Sequence, residues 1–395
     1  MRILTFTHLF PNAAQPNWGI FVYQRVVHFA NLPGNECVVV APVPYVPRWL
    51  RIRSLERYQR APAEEMVGGL RVLHPRYPHI PKIAMPLHGL LLYLGCRKQV
   101  EKIFQEKRFD CIDSHWIYPD GFAAVLLSKK FQVPAFCSAR GTDINVYPRF
   151  ASVRPLLRWL LKRATGVIAV SGALKEAIVQ LGISVSKIRV IGNGIDENRF
   201  YPLERKTARE KLNLPPDALI AIAVGSLNEH KNHALLIAAV ANILPRYPAL
   251  KLIIIGEGQL RASLSRLIQH LGLAEHVVLI GNQPNEDLLW WYNAANLSCL
   301  PSLREGWPNV LMESIACGTP VVATRVGGVP EAMRSGEHGF IVEPTVNDFS
   351  SGLDAALAKS WNRDAIIQYA RTRTWSKVAL EMQSFFQQTI TSRGS

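Results

Sequence analysis

No stretch of this chain reaches the roughly 18 apolar residues that a membrane-spanning helix needs. The nearest, Ile83 to Cys96, is short and holds Pro86 and His88. The opening Met1-Arg2-Ile3-Leu4-Thr5-Phe6-Thr7-His8 is too short an apolar run for a secretion signal and is broken by Thr and His, so it reads as a first buried strand. Low-complexity tracts and short-period repeats are absent, and the 26 prolines and 26 glycines are spread along the chain. Linker-like and solenoid architectures are thereby disfavoured. Cysteine is scarce: Cys37, Cys96, Cys111, Cys137, Cys299 and Cys317 are scattered, and none forms a CxxC pair. Several lie in apolar, strand-like runs, where a reduced thiol acts as a small hydrophobe. Buried structural thiols in a reducing cytosol are expected, in place of a metal or redox site.

What is present is size, apolar content and an uneven charge. A chain of 395 residues is long for one domain, and 48% hydrophobic residues suffice for two cores. The net charge is +15, and residues 1–200 carry 27 Lys and Arg against 13 Asp and Glu, whereas the remainder carries 18 against 17. A uniformly basic chain would suggest nucleic acid. This asymmetry suggests instead that one domain meets something anionic, and no nucleic-acid partner is expected.

Short apolar runs alternate with helical patterns. Strands are expected at Arg2–Thr7, Glu36–Pro42, Leu70–His74, Cys111–Ser114, Pro134–Ala139, Gly166–Val170 and Lys187–Ile191. The rhythm restarts with Leu219–Gly225, Leu252–Gly256, Val277–Ile280, Leu297–Leu300, Pro320–Ala323 and Phe340–Val342. Helices such as Gly19–Ala30, Leu87–Lys107, His233–Leu244 and Gln259–Leu271 fall between, and a last helix, Ser376–Gln388, has no strand after it. This is the βαβ pattern of two α/β, doubly wound, parallel-sheet domains. The charged, proline-bearing stretch from Asp196 to Leu214 reads as the boundary. Ligands of such sheets bind at the carboxyl ends of the strands, so a cleft lined by two sets of those loops is expected.

The most informative stretch is Pro301-Ser302-Leu303-Arg304-Glu305-Gly306-Trp307-Pro308-Asn309-Val310-Leu311-Met312-Glu313-Ser314. Pro308 suits a helix's first turn and Gly318 its end. Free N–H groups near Asn309, Val310 and Leu311 would favour a diphosphate there. Glu305 precedes the helix and Glu313 lies more than a turn inside it. One carboxylate could grip a ribose and the other a transferred sugar through charge-assisted hydrogen bonds. The plainer account of Glu305 is a partner of the helix dipole.

Glu305 and Glu313, inside EGWPNVLMES and followed by IACGTPVVATRVGGVPE, resemble the E-x7-E signature of family 4 glycosyltransferases, over most of the chain. The resemblance implies a retaining, metal-independent enzyme of the GT-B fold, two Rossmann-like domains facing across a cleft. It implies an acceptor-binding domain at 1–198, a donor-binding domain at 199–374 and a C-terminal helix at 375–395 packing back towards the first. Glu305 would contact the donor sugar, Glu313 the ribose, and the amides of Asn309, Val310 and Leu311 the phosphates and sugar. Val224-Gly225-Ser226-Leu227-Asn228-Glu229-His230-Lys231-Asn232 resembles the family's phosphate loop, with Lys231 as its phosphate lysine. A fixed ammonium there would stabilise the departing diphosphate. Ser226 stands where many members have Arg, and Arg304 or Arg140 are candidates to replace that charge. Gly256 and Glu257, in Ile254-Ile255-Gly256-Glu257-Gly258, match a turn near the nucleotide base. No full G-x-G-x-x-G follows the first strand, which disfavours a dinucleotide site.

In the first half, Gly19 matches a loop glycine near the donor phosphates, where its lack of a side chain would let backbone approach closely. His115 matches a histidine beside the transferred sugar. From its position alone, the bland alternative is a structural histidine. Arg140 and Asp143 end another strand, as contacts for an anionic group and an acceptor hydroxyl or as an internal ion pair. Two basic stretches remain. One runs from Arg48 to Arg53 and on to Arg57 and Arg60, and suits an anionic membrane surface. In the other, Arg154, Arg158 and Lys162 are solvated charges on a helix whose leucines pack inward.

The resemblance implies front-face transfer from a nucleotide sugar to a saccharide or lipid-linked saccharide in surface polysaccharide synthesis, the leaving phosphate helping to deprotonate the acceptor. No cofactor and no metal are expected, since no DxD-like cluster stands beside the donor loop. The expected location is cytoplasmic, peripheral on the inner face of the membrane. Alternatives are another GT-B enzyme (a nucleotide-sugar epimerase or phosphorylase), a glycosidase, or a non-catalytic basic binding protein.

Overall fold

The computed structural model describes residues 1–47, 56–79 and 85–394. The basic stretch 48–53 lies outside the described residues. The chain forms two compact units: Met1–Asn193 with the chain from Trp375 onward, and Gly194–Thr374.

The first unit's sheet contains β1 (Arg2–Phe6), β2 (Glu36–Val40), β3 (Glu64–Val67), β4 (Leu70–Leu73), β5 (Cys111–His115), β6 (Ala135–Ala139), β7 (Gly166–Ala169) and β8 (Ile188–Val190). Their order is β8-β7-β6-β5-β1-β2-β4-β3. Neighbours run parallel except β3, which pairs antiparallel with β4 at the edge. The central strands are near-continuous apolar runs because both sheet faces are covered; Val39, Val40 and Ile112 are fully buried. The winding reverses between β1 and β5, where Thr5 sits beside Asp113 and Phe6 beside Ser114. Helix α1 (Ile20–Ala30) follows the loop after β1, and α2 (Arg154–Arg163) lies between β6 and β7. In α2, Leu157, Leu160 and Leu161 are fully buried, so its apolar face belongs to the core.

The second unit is a Rossmann-like sheet of β9 (Leu219–Val224), β10 (Leu250–Ile255), β11 (Val277–Gly281), β12 (Leu297–Leu300), β13 (Val321–Thr324) and β14 (Gly339–Val342). The order is β11-β10-β9-β12-β13-β14, all parallel. Here the winding reverses between β9 and β12. Helix α3 (His233–Ile243) follows the loop after β9, and α4 (Asn309–Ala316) follows the loop after β12.

The stretch 196–214, expected as a boundary, belongs wholly to the second unit. Its charges had hidden an apolar lining: Phe200 is buried, and Leu203, Leu212 and Leu214 pack against the same core. Buried Arg209 donates to the carbonyl of Ala294 at 3.0 Å and to Asn296 Oδ1 at 2.8 Å. The final helix, α5 (Trp375–Gly394), packs in the first unit against α1, where Phe386 meets Phe136 with ring centres 4.3 Å apart. All six cysteines are buried and unpaired.

Candidate active site

The carboxyl ends of β9 and β12 lie side by side at the second unit's winding reversal, where such sheets bind ligands. The two loops leaving them are tied together: the N–H of Leu303 donates to the carbonyl of His230 at 2.7 Å. The loop after β9 also packs on the turn after β10. Gly256 has φ +149°, and a Cβ there would lie 2.0 Å from the carbonyl oxygen of Gly225. Gly256 therefore serves backbone-to-backbone packing, with Leu227 N–H donating to the Glu257 carbonyl at 2.9 Å. The Glu257 side chain pairs with Arg261 at 2.6 Å in an exposed i,i+4 bridge that stabilises little.

Lys231 and Glu305 meet at this junction, Nζ to Oε1 at 2.7 Å, with side chains only 17% and 10% exposed. Ser302 donates its hydroxyl to the same carboxylate oxygen at 2.7 Å. Asn228 Oδ1 accepts the backbone N–H of Lys231 at 3.3 Å and fixes the turn carrying the lysine. The Ser226 hydroxyl accepts from Asn228 Nδ2 at 2.6 Å. Arg304 is exposed on the Glu305 loop. Burial, with Lys231 and Arg304 adding repulsion, holds His230 below its ordinary pKa, which places Arg304 within electrostatic reach of this cluster.

Helix α4 starts after Pro308, as the sequence implies. Its first amides are less open than expected. The N–H of Asn309 donates to the Trp307 carbonyl at 3.1 Å, and that of Leu311 to the Pro308 carbonyl at 3.1 Å. A tight turn supplies these acceptors before any ligand does. Val310 is half-buried beside them. Glu313 lies a turn further on and accepts a hydrogen bond from the buried hydroxyl of Tyr292 at 2.9 Å. Burial raises the Glu313 carboxyl above its ordinary pKa despite that bond and the pull of Arg199 and Lys231.

In the first unit, His115 and Asp143 are both fully buried. His115 is fully buried, its Nε2 lies 3.1 Å from Asp113, and its Nδ1 faces the Arg140 guanidinium. Arginine only donates, so Nδ1 is the acceptor and the ring proton sits on Nε2. Burial drives this imidazole down to about 4, so it is neutral at neutral pH. Arg140 also donates to Asn193 Oδ1 at 3.1 Å, and burial lowers it to about 10. Asp143 makes no side-chain ion pair with Arg140. Its buried carboxylate accepts the backbone N–H groups of Ile117 at 2.8 Å, Arg140 at 3.0 Å and Gly141 at 2.8 Å. It braces two loops. Gly19, at φ +68°, is needed because a Cβ would lie 2.4 Å from the Leu9 backbone, so the close approach there is to the chain itself.

Ser302 and Tyr292, which bond Glu305 and Glu313, were missed by sequence reasoning, and so was the contact of His8 with Asp120. Asp120 lies in the same His-x-x-Tyr-Pro-Asp stretch as His115, but His8 sits 112 residues earlier, and only the β1–β5 pairing joins them.

Two Rossmann-like units are the parts of the GT-B fold, and the second carries a lysine–carboxylate pair at its winding reversal. Residues 204–373 match the family described as glycosyl transferases group 1, and residues 25–199 match glycosyltransferase family 4. The chain belongs to that family. It is 30% identical to D-inositol 3-phosphate glycosyltransferase 2 of Catenulispora acidiphila over 83% of each chain. It is 28% identical to a Bacillus subtilis protein named for teichuronic acid biosynthesis, over 87% of this chain and 86% of that one. In fold it is similar to sucrose-phosphate synthase of Thermosynechococcus elongatus, with TM-score 0.79 and 23% identity over 99% of both chains. Anabaena HepE, solved with UDP and glucose, gives TM-score 0.74 at 20% identity, over 98% of this chain and 100% of that one.

Proposed function

We propose that this glycosyltransferase takes its sugar from a nucleoside diphosphate donor bound by the second unit and retains the anomeric configuration. The acceptor is a saccharide or lipid-linked saccharide of a surface polysaccharide, taken by the first unit. The observation that carries this reading is the Lys231–Glu305 pair, held by Ser302 beside the start of α4. Each member of the pair is a ready partner for a different part of a nucleotide sugar, the ammonium for phosphate and the carboxylate for sugar hydroxyls. Glu313, further along α4, is the group for the ribose. Arg304 supplies the charge that Ser226 lacks, since Arg140 is buried against His115. The Bacillus relative's name supports the polysaccharide setting.

Lys231 offers a fixed cation for the leaving diphosphate without a metal, so activity is expected to survive EDTA. The basic first half supports peripheral attachment to an anionic membrane face, measurable as salt-sensitive sedimentation with anionic vesicles. The deciding experiment is a calorimetric screen of nucleotide sugars, with NMR of the product for anomeric configuration. Lys231→Ala and Glu305→Ala should each lower turnover ~10²–10³-fold. Full turnover in both variants, or an inverted product, would refute the proposal.

A further inference from the structure

Glu313 is half-buried on α4, and its two carboxylate oxygens have different surroundings. Oε2 accepts from the Tyr292 hydroxyl at 2.9 Å, whereas Oε1 has no hydrogen-bond partner among the described residues. Tyr292 belongs to the helix Leu288–Ala294 of the same unit and is fully buried. Its place is fixed from the backbone and from the ring. The Thr319 hydroxyl donates to the Tyr292 carbonyl at 2.7 Å, and the Ser314 hydroxyl donates to the Thr319 carbonyl at 2.9 Å. Phe200 meets the phenol ring edge-on, with ring centres 5.9 Å apart. Ser314 follows Glu313 on α4, so these bonds close a circuit from Tyr292 through Glu313, Ser314 and Thr319 back to Tyr292.

Packing alone does not call for the tyrosine oxygen. A phenylalanine would fill the same space without a hydroxyl to be satisfied away from water. The partner that satisfies it is a carboxylate, and a hydrogen bond to a charged group is stronger than one between neutral groups. Because Oε2 is engaged, Oε1 is the atom of Glu313 left for a ligand.

We infer that Tyr292 is a positioning residue for the donor: it fixes the Glu313 carboxylate through Oε2 and leaves Oε1 to accept a ribose hydroxyl. The inference rests on the proposed nucleoside diphosphate donor. Tyr292 also helps to keep that carboxylate charged. Burial raises the Glu313 pKa, and the Tyr292 hydrogen bond, Arg199 and Lys231 pull it back. Lys231 is itself engaged by Glu305. Burial and the charge of Glu313 hold the Tyr292 phenol well above its ordinary pKa, so it keeps its proton and goes on donating. The nearby Cys317 thiol is pushed up by burial and by Glu313, and stays neutral.

The sign of the pH effect follows. Glu313 grips ribose best when ionised, so the grip weakens as pH falls through its folded pKa. Without the Tyr292 hydroxyl that pKa is higher, and the weakening begins at higher pH.

The probes are the nucleoside diphosphate of the donor chosen by the calorimetric screen and its 2′,3′-dideoxy analogue, titrated between pH 5.5 and 8. Both carry the same diphosphate, so the ratio of their affinities reports the ribose contact. In the parent the ribonucleotide should bind more tightly, by a ratio that grows with pH. Tyr292→Phe should bind the ribonucleotide ~10-fold more weakly at pH 6, with the growth of the ratio moved to higher pH and the dideoxy affinity unchanged. Glu313→Gln should abolish the pH dependence of the ratio. Equal weakening of both nucleotides at every pH in Tyr292→Phe would mean a merely structural tyrosine and overturn the inference. A parent that binds the two nucleotides alike would overturn it too. In either failure Lys231→Ala still weakens both nucleotides; if it weakens neither, the donor reading itself has failed.

Discussion

Lys231 and Glu305 satisfy one another before any ligand arrives, which sets what removing either does. Each is more than four-fifths covered, so a lone survivor is a poorly solvated charge. In a double-mutant cycle, Lys231→Met with Glu305→Gln should be less destabilising than the sum of the single changes, read by thermal unfolding. Glu313 gives a second, signed expectation. Its folded-state pKa is raised by burial, so its favourable contribution is full below the unfolded value and is lost as pH rises through the folded one. Glu313→Gln should therefore gain in melting temperature relative to the parent as pH goes from 4 to 7. A constant gap would contradict the burial effect. These acidic residues were legible because their spacing is a property of one short segment. The engagement of His115 by Asp113 and Arg140 was not: Asp113 lies two residues back on the same strand, but Arg140 comes from the end of the neighbouring strand β6. Nor was the His8–Asp120 pair, made of residues 112 apart.

At the scale of elements, covered strands were easy to read because burial on both faces demands continuous apolar sequence. The edge strand β3, Glu64–Val67, was missed for the converse reason: its residues alternate between exposed and half-covered. Loop contacts leave still less trace. Gly327, at φ +50°, belongs to the turn after β13, and a Cβ there would lie 1.8 Å from the Glu305 carbonyl oxygen. No side-chain rearrangement relieves a clash with backbone. Gly327→Ala must therefore displace the segment carrying Glu305, at a strain of ~1–3 kcal/mol. The expected outcome is donor affinity lowered at least tenfold, with far-UV circular dichroism unchanged. Gly336→Ala is the control, since it also has positive φ, +85°, but meets nothing within 4 Å. Equal donor affinity in the two variants would show that the loop contact is unimportant.

For the whole molecule, the path of the chain matters more than its two sheets. It leaves the first unit after Asn193 and re-enters it at Trp375, so the last helix completes a core begun at the other end of the sequence. Val378, Ala379 and Phe386 are fully buried, and Phe386 contacts both Phe29 and Phe136. A chain ending at Thr374 would expose the apolar surface of α1 that these side chains cover. The expected result is selective: in limited proteolysis of the truncated chain, peptides from β1 to β8 should be released early, while those from β9 to β14 persist. Phe386→Ala is the milder version, at ~3–5 kcal/mol for a large aromatic lost from a core. It should lower the first unit's unfolding temperature without altering nucleotide affinity, because Lys231, Glu305 and Glu313 all belong to the other unit. A truncated chain with parental protease resistance in its first unit would mean that α5 is not part of that unit's stable core.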